Sequence, residues 1–213
     1  MTMEILRQVG LDRYGDADIL TDASWTYKPA YVERVWECEN LFAMADMTGT
    51  CKFAAQEALF VEGIGMADFA RLLSAVTGER FGPADLVKAG EREFALERAY
   101  NSRQGIRRVD DYPYAFYYEI THGEPHPDLD PARFRLSRET FDQLLDEYYR
   151  LRGCDQATGI PAAGALDALG LGDVADDLIG RGLAAPRGSG PASATAERTN
   201  PGATSVPQIT ERR

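Results

Sequence analysis

Ser137-Arg138-Glu139-Thr140-Phe141-Asp142-Gln143-Leu144-Leu145-Asp146-Glu147-Tyr148-Tyr149-Arg150-Leu151-Arg152-Gly153 reads as one amphipathic helix with both ends marked. Phe141, Leu144, Leu145, Tyr148 and Tyr149 follow an i, i+3, i+4, i+7, i+8 spacing. That spacing stacks apolar side chains on one face of a 3.6-residue repeat. Ser137 offers a hydroxyl as N-cap, and Glu139 places a carboxylate in the first turn. Gly153 stops the helix. No stretch alternates apolar with polar residues over a comparable length. The expected class is therefore all-α: an irregular multi-helix domain with long connections and a disordered C-terminal tail.

Upstream, Pro83–Asn101 reads as a long helix with Leu86, Val87, Phe94 and Ala95 on one stripe. Met66–Val76 reads as another, ended by Gly78. Pro29 suits a first helical turn, where its missing N–H is harmless. The run Ala30–Ala45 follows, with Val32, Val35, Trp36 and Phe42 near helical spacing, and delivers the chain to a turn at Asp46–Cys51. Residues 1–27 are expected to be an irregular segment with one short helix near Met3–Val9. Residues 28–182 form the expected helical domain. Within it, 106–135 hold Pro, Asp and aromatic residues without a period and read as an irregular surface segment. Ile160-Pro161 opens a small helix ending near Leu169-Gly170, and Val174–Ile179 adds a last turn or two. Residues 183–213, mostly Ala, Gly, Ser, Pro and Thr with scattered Arg, bury too little apolar surface to offset ordering entropy. They are the expected disordered tail.

The 213 residues carry a net charge of −11 and are 44% hydrophobic, which fits one domain with a small appendage. The acidic balance argues against nucleic acid and anionic membrane surfaces as main partners. No apolar run approaches bilayer length. The N-terminus lacks the basic start and apolar core of a signal peptide, so a cytoplasmic location is expected. Cys38, Cys51 and Cys154 are an odd, widely spaced set with no Cys-x-x-Cys. That argues against a disulfide framework and against a complete iron–sulfur or zinc motif.

The turn Asp46-Met47-Thr48-Gly49-Thr50-Cys51, followed by Lys52-Phe53, carries the chemistry. Its carboxylate can accept hydrogen bonds from a heterocycle's N–H groups. Its glycine permits close approach or a positive φ. Its thiol, deprotonated, suits a soft metal, iron above all. The plainer alternative is a helix C-terminus with a glycine cap and then a buried cysteine. Both readings stand on the turn alone, because one thiolate cannot hold a cluster.

The other constellations favour plain readings. His122 and His126 sit in a proline-rich stretch with no third ligand nearby, a solvated loop. Asp110 and Asp111 answer Arg107 and Arg108 in a surface charge cluster. Tyr112–Tyr118 reads as a segment lying over a core, with buried rings and wet hydroxyls. Glu33, Glu37 and Glu39 read as a solvated acidic face. No Ser-His-Asp or Cys-His arrangement and no phosphate loop is legible.

In order along the chain, several blocks resemble the C-terminal helical region of the aldehyde ferredoxin oxidoreductase family. Lys28–Val32 resembles the helix start before that family's D-x-x-G-x-C turn, and Asp46–Cys51 with Lys52-Phe53 resembles the turn itself. Leu72-Leu73-Ser74-Ala75-Val76-Thr77-Gly78 resembles the segment before its long helix. Gly90-Glu91-Arg92 and Leu96-Glu97-Arg98-Ala99-Tyr100-Asn101, with Arg103 and Gly105, resemble its G-E-R…L-E-R-x-(F/Y)-N-x-R-x-G signature. Asp110-Asp111, Glu147-Tyr148-Tyr149, Arg152-Gly153, Gly159-Ile160-Pro161 and Leu169-Gly170-Leu171 complete the series, over roughly residues 28–171.

The resemblance implies a tungsten- or molybdenum-bis-pterin cofactor with a nearby [4Fe–4S] cluster, oxidising aldehydes to carboxylic acids and passing electrons to ferredoxin or a similar carrier. It assigns pterin binding to Asp46, with Gly49 and Thr50 in the cofactor turn, and cluster ligation to Cys51. The family's C-x-x-C-x-x-x-C run, its second pterin turn and its N-terminal domain are not in this sequence. The implied partners are therefore the missing N-terminal and middle domains or a partner subunit. Thr50 stands where an aliphatic residue is usual. Cys154 stands where Trp is expected, which suggests altered packing rather than a ligand. The resemblance is compatible with a part of such an oxidoreductase, and also with a truncated, non-catalytic relative serving as an interaction module.

Overall fold

The computed structural model describes residues 3–21, 27–56, 64–119 and 136–188. Among these residues the chain is helical, and no strand or sheet forms. The helices are α1 (Met3–Tyr14), α2 (Pro29–Thr48), α3 (Lys52–Gln56), α4 (Met66–Thr77), α5 (Pro83–Arg103), α6 (Phe116–Glu119), α7 (Arg138–Arg152), α8 (Ala163–Ala168) and α9 (Gly172–Gly180). A short 3-10 turn covers Arg108–Asp111. His122 and His126 lie outside the described residues.

The helix signals act as read. Ser137 Oγ accepts from the Thr140 N–H at 2.9 Å. Gly78 and Gly153 close α4 and α7 at positive φ. The stretch 1–27, expected to be irregular after Val9, carries α1 through Tyr14. Gly10, just past the end expected at Val9, lies inside α1 and is buried because the chain folds back on it. A Cβ there would stand 2.6 Å from the Asp16 carbonyl oxygen.

Helix α5 runs between two apolar clusters. Its start supplies Leu86 to a cluster with Leu41, Met44 and Ala45 of α2, Ala55 of α3, and Phe69 and Ala70 of α4. Its later turns supply Ala95 and Ala99 to a cluster with Ile160, Leu166, Leu171, Ala175 and Leu178. Each large side chain so buried contributes about 1.5–3 kcal/mol. Gly90 lets α5 approach α2 closely: its Cβ would lie 3.0 Å from the Asn40 carbonyl oxygen.

Two polar networks tie the helices together, and both correct the plain reading of their acidic residues. Glu39 is not a solvated face. It accepts from Arg152 Nη2 at 2.6 Å and from the Tyr148 hydroxyl at 2.7 Å. Arg152 also donates to Asn40 Oδ1 at 2.9 Å and lies 4.1 Å from the Phe94 ring centroid. Glu37 accepts from the Tyr14 hydroxyl at 2.6 Å. Asp111 answers Arg98, through Nη1 at 2.7 Å and Nη2 at 2.6 Å, and also accepts from the Tyr149 hydroxyl. Arg98 Nε donates to the Gly159 carbonyl at 2.7 Å. Arg108 reaches forward to Asp146 at 2.5 Å and Asp142 at 3.2 Å. Asp110 accepts from the Arg107 backbone N–H at 2.8 Å. Sequence neighbours suggest other pairs because helix periodicity says nothing about partners across the fold.

The aromatic segment also departs from expectation. Tyr114 is 80% exposed and Phe116 is exposed as well. The Tyr114 and Phe116 rings lie near-parallel with centroids 6.5 Å apart, and the Phe116 and Tyr117 centroids are 4.2 Å apart. Cys154 forms an isolated backbone bridge with Pro161, and burial pushes its thiol up to about 12. Among the described residues no helix is long and apolar enough to cross a membrane.

Candidate cofactor-binding turn

Helix α2 ends in a Schellman-type cap. Gly49 takes φ +69°. Its N–H donates to the Asp46 carbonyl at 3.2 Å, and the Thr50 N–H donates to the Ala45 carbonyl at 2.8 Å. These bonds satisfy carbonyls that a helix end leaves orphaned. The Thr48 hydroxyl donates back to the Met44 carbonyl at 2.8 Å and lies 3.0 Å from the Thr50 hydroxyl. The Cys51 carbonyl then accepts from the Ala54 N–H at 3.0 Å and opens α3. The backbone is thus held at both ends of the turn.

What the turn displays is chemical. Cys51 is exposed, as are Asp46 and Gly49. Phe53, next along, is 78% exposed. No atom lies within 4 Å of the position a Gly49 Cβ would take. A glycine cap followed by a buried cysteine does not describe this site, since the cysteine faces outward. The N–H groups of Gly49 and Thr50 are both consumed by the cap. Gly49 therefore offers a ligand open approach rather than a donor, and the Thr50 hydroxyl is turned to Thr48.

Sequence spacing does not single out Lys52. Its ammonium lies 2.7 Å from Asp46 Oδ2 and 5.8 Å from the Phe42 ring centroid. The pair closes the turn from outside, bridging the end of α2 and the start of α3. Glu93 of α5 belongs to the same neighbourhood. Burial raises its carboxyl above the usual range, Glu97 and then Asp46 add to the rise, and Arg152 opposes it.

Among the described residues no three His, Cys, Asp or Glu side chains cluster as a metal site. The donor set fits a shared centre, with one outward-facing thiol and one outward-facing carboxylate on a single rigid turn. Side chains of α2, α5 and α7 line an open cavity of about 960 Å3, to which the turn itself contributes no residue. Tyr31, Val35, Phe42, Phe94, Leu144 and Tyr148 are on its walls. Phe42 thus faces the cavity and also lies under Lys52.

An all-helical domain that displays a carboxylate and a thiol on one capped turn at a helix end is the class that these features define. Residues 7–171 match the family described as aldehyde ferredoxin oxidoreductase, domains 2 & 3, and the chain belongs to that family. The match begins at residue 7, before Lys28 and within α1. The chain is 31% identical over 137 residues to the tungsten-containing aldehyde ferredoxin oxidoreductase of Pyrococcus furiosus, covering 63% of this chain and 20% of that protein. It is 30% identical over 137 residues to the enzyme of the same name from Thermococcus kodakarensis, with the same coverage. Among solved structures it is similar to the active-site complex BamBC of benzoyl coenzyme A reductase bound to 1,5-dienoyl-CoA. That likeness has a TM-score of 0.56 and 31% identity, over 71% of this chain and 21% of that one. The chain spans about a fifth of the length of these relatives.

Proposed function

We propose that this chain forms one wall of the cofactor site of a tungsten- or molybdenum-pterin, iron–sulfur oxidoreductase. In that reading the Asp46 carboxylate accepts hydrogen bonds from pterin N–H groups, and Gly49 lets the ring system approach the backbone. Cys51 gives its thiolate to one iron of a [4Fe–4S] cluster whose other ligands come from polypeptide beyond this chain. Bound there, the cofactors supply the oxidation of an aldehyde to a carboxylic acid and the transfer of electrons to a ferredoxin-like carrier. The chain contributes positioning. One capped turn fixes the spacing between its pterin acceptor and its cluster ligand, and nearby amides tune such centres.

The supporting observation is that Asp46 and Cys51 both face outward from one turn, inside a chain that belongs to this family. A cysteine kept only for packing belongs in the core.

The test is anaerobic purification of the tagged full chain from its own cells, with whatever polypeptide accompanies it. Tungsten, molybdenum, iron and pterin are then measured per chain. The expected result is pterin, metal and about one cluster's complement of iron. Cys51→Ser lowers iron, because an alkoxide is a hard substitute for a thiolate. Asp46→Ala lowers pterin and metal while part of the iron survives. Wild-type chain free of iron and pterin favours the non-catalytic interaction module instead.

A further inference from the structure

The 2.7 Å contact between Lys52 and Asp46 assigns Lys52 a task that the turn's sequence does not announce. We propose that Lys52 is a positioning residue for the pterin, acting through Asp46. This rests on the reading of Asp46 and Cys51 given above.

Both partners are about half exposed, with side chains 52% and 56% accessible for Lys52 and Asp46. Such a pair contributes little to the fold, because water screens it and two side chains lose freedom. The same pair gains importance when a cofactor covers it. A carboxylate taken out of water is costly unless it is paired and hydrogen-bonded. Lys52 supplies the pairing from within the chain, so Asp46 enters the covered site already neutralised.

The geometry also orients the acceptor. The ion pair engages Oδ2 and leaves Oδ1 as the second acceptor. The Phe42 ring lies 5.8 Å from the ammonium and confines it. With the backbone of Asp46 held by the cap, fixing one carboxylate oxygen fixes the direction of the other. Without Lys52 the carboxylate turns freely about its side-chain bonds. The charge of Glu93, a carboxyl that Asp46 helps to push above its usual range, also repels it. The lysine therefore acts on pterin retention and leaves the cluster ligand, Cys51, in place.

The experiment compares wild type, Lys52→Met and Lys52→Arg as tagged full chains. Each is purified anaerobically from its own cells with its accompanying polypeptide. Pterin, tungsten or molybdenum, and iron are measured per chain, together with the thermal midpoint. The expected result for Lys52→Met is an unchanged midpoint and unchanged iron, with pterin retention weakened about tenfold. Lys52→Arg restores pterin, because it keeps the charge on the same carboxylate. Pterin equal to wild type in Lys52→Met overturns the proposal and leaves the assignment of Asp46 and Cys51 standing. A lowered midpoint, or iron and pterin lost together, makes Lys52 a fold residue and overturns it as well. Wild-type chain lacking pterin and iron overturns both readings, and that outcome is visible before any variant is compared.

Discussion

Cys51 and Cys154 put the same side chain in opposite surroundings. Cys51 is exposed beside the α2 cap, while burial pushes the Cys154 thiol up to about 12. Thiolate is the reactive form. Brief iodoacetamide treatment of the folded chain, produced alone and free of iron, at pH 8 is expected to label Cys51 and spare Cys154, with both labelled in denaturant, as read by peptide mass spectrometry. Prominent Cys154 labelling in the native chain contradicts its placement. Glu93 tests the electrostatics of the neighbouring helix. Its folded carboxyl titrates above the unfolded value, mainly through burial and then through Glu97 and Asp46, against Arg152. A raised group favours the fold fully below its unfolded pKa and loses that contribution as pH rises through the folded pKa. Glu93→Gln is therefore expected to raise the melting temperature at pH 8 and to change it little at pH 4. An equal change at both pH values contradicts the assigned cause. At this scale the sequence shows the chemical types of the turn, Asp46, Gly49 and Cys51. It does not show the Lys52–Asp46 pair, because a helix cap lies between the two residues and no repeat links them.

Helix ends are the most legible elements, since capping is local chemistry. Ser137, Gly78 and Gly153 act as their residue types suggest. Ser137→Ala is expected to cost about 1 kcal/mol in a urea titration, the usual loss for an N-cap hydroxyl. Gly49 and Gly90 then separate two roles for glycine. At Gly49 a Cβ meets no atom within 4 Å, so Gly49→Ala costs only the left-handed backbone strain, about 1–2 kcal/mol. At Gly90 a Cβ falls 3.0–3.2 Å from the backbone and Cβ of Asn40, so Gly90→Ala must move α5 away from α2. A larger loss at Gly90 than at Gly49 is the expected ordering, and the reverse contradicts this packing. Elements defined by tertiary contact are harder to read. Helix α1 extends through buried Gly10, past the end expected at Val9. Glu37 and Glu39 of α2 face Tyr14, Tyr148 and Arg152, which lie far away in sequence. The exposed rings at Tyr114 and Phe116 share their composition with a core segment, so residue type alone could not place them.

The whole molecule is organised on α5, and the last turns of that helix depend on residues beyond the family match. That match ends at residue 171, while the second core cluster takes Ala175 and fully buried Leu178 from α9. Beyond α9 the chain returns. Arg187 pairs with Asp167 at 2.6 Å and with Asp176 at 2.5 Å, past the boundary expected at 182. Those ion pairs are exposed and hold less than the apolar contacts beneath them. Leu178→Ala is expected to cost about 2–5 kcal/mol, as buried leucines do. A chain ending at Leu171 loses Leu178 and Ala175 together and uncovers the wall formed by Ala95, Ala99 and Leu166. Its urea midpoint should therefore fall further than that of Leu178→Ala. A chain ending at Gly188 keeps every contact named here and should match the full chain. Equal midpoints for the chains ending at 171 and 188 would show that α5 and α8 close the core without α9.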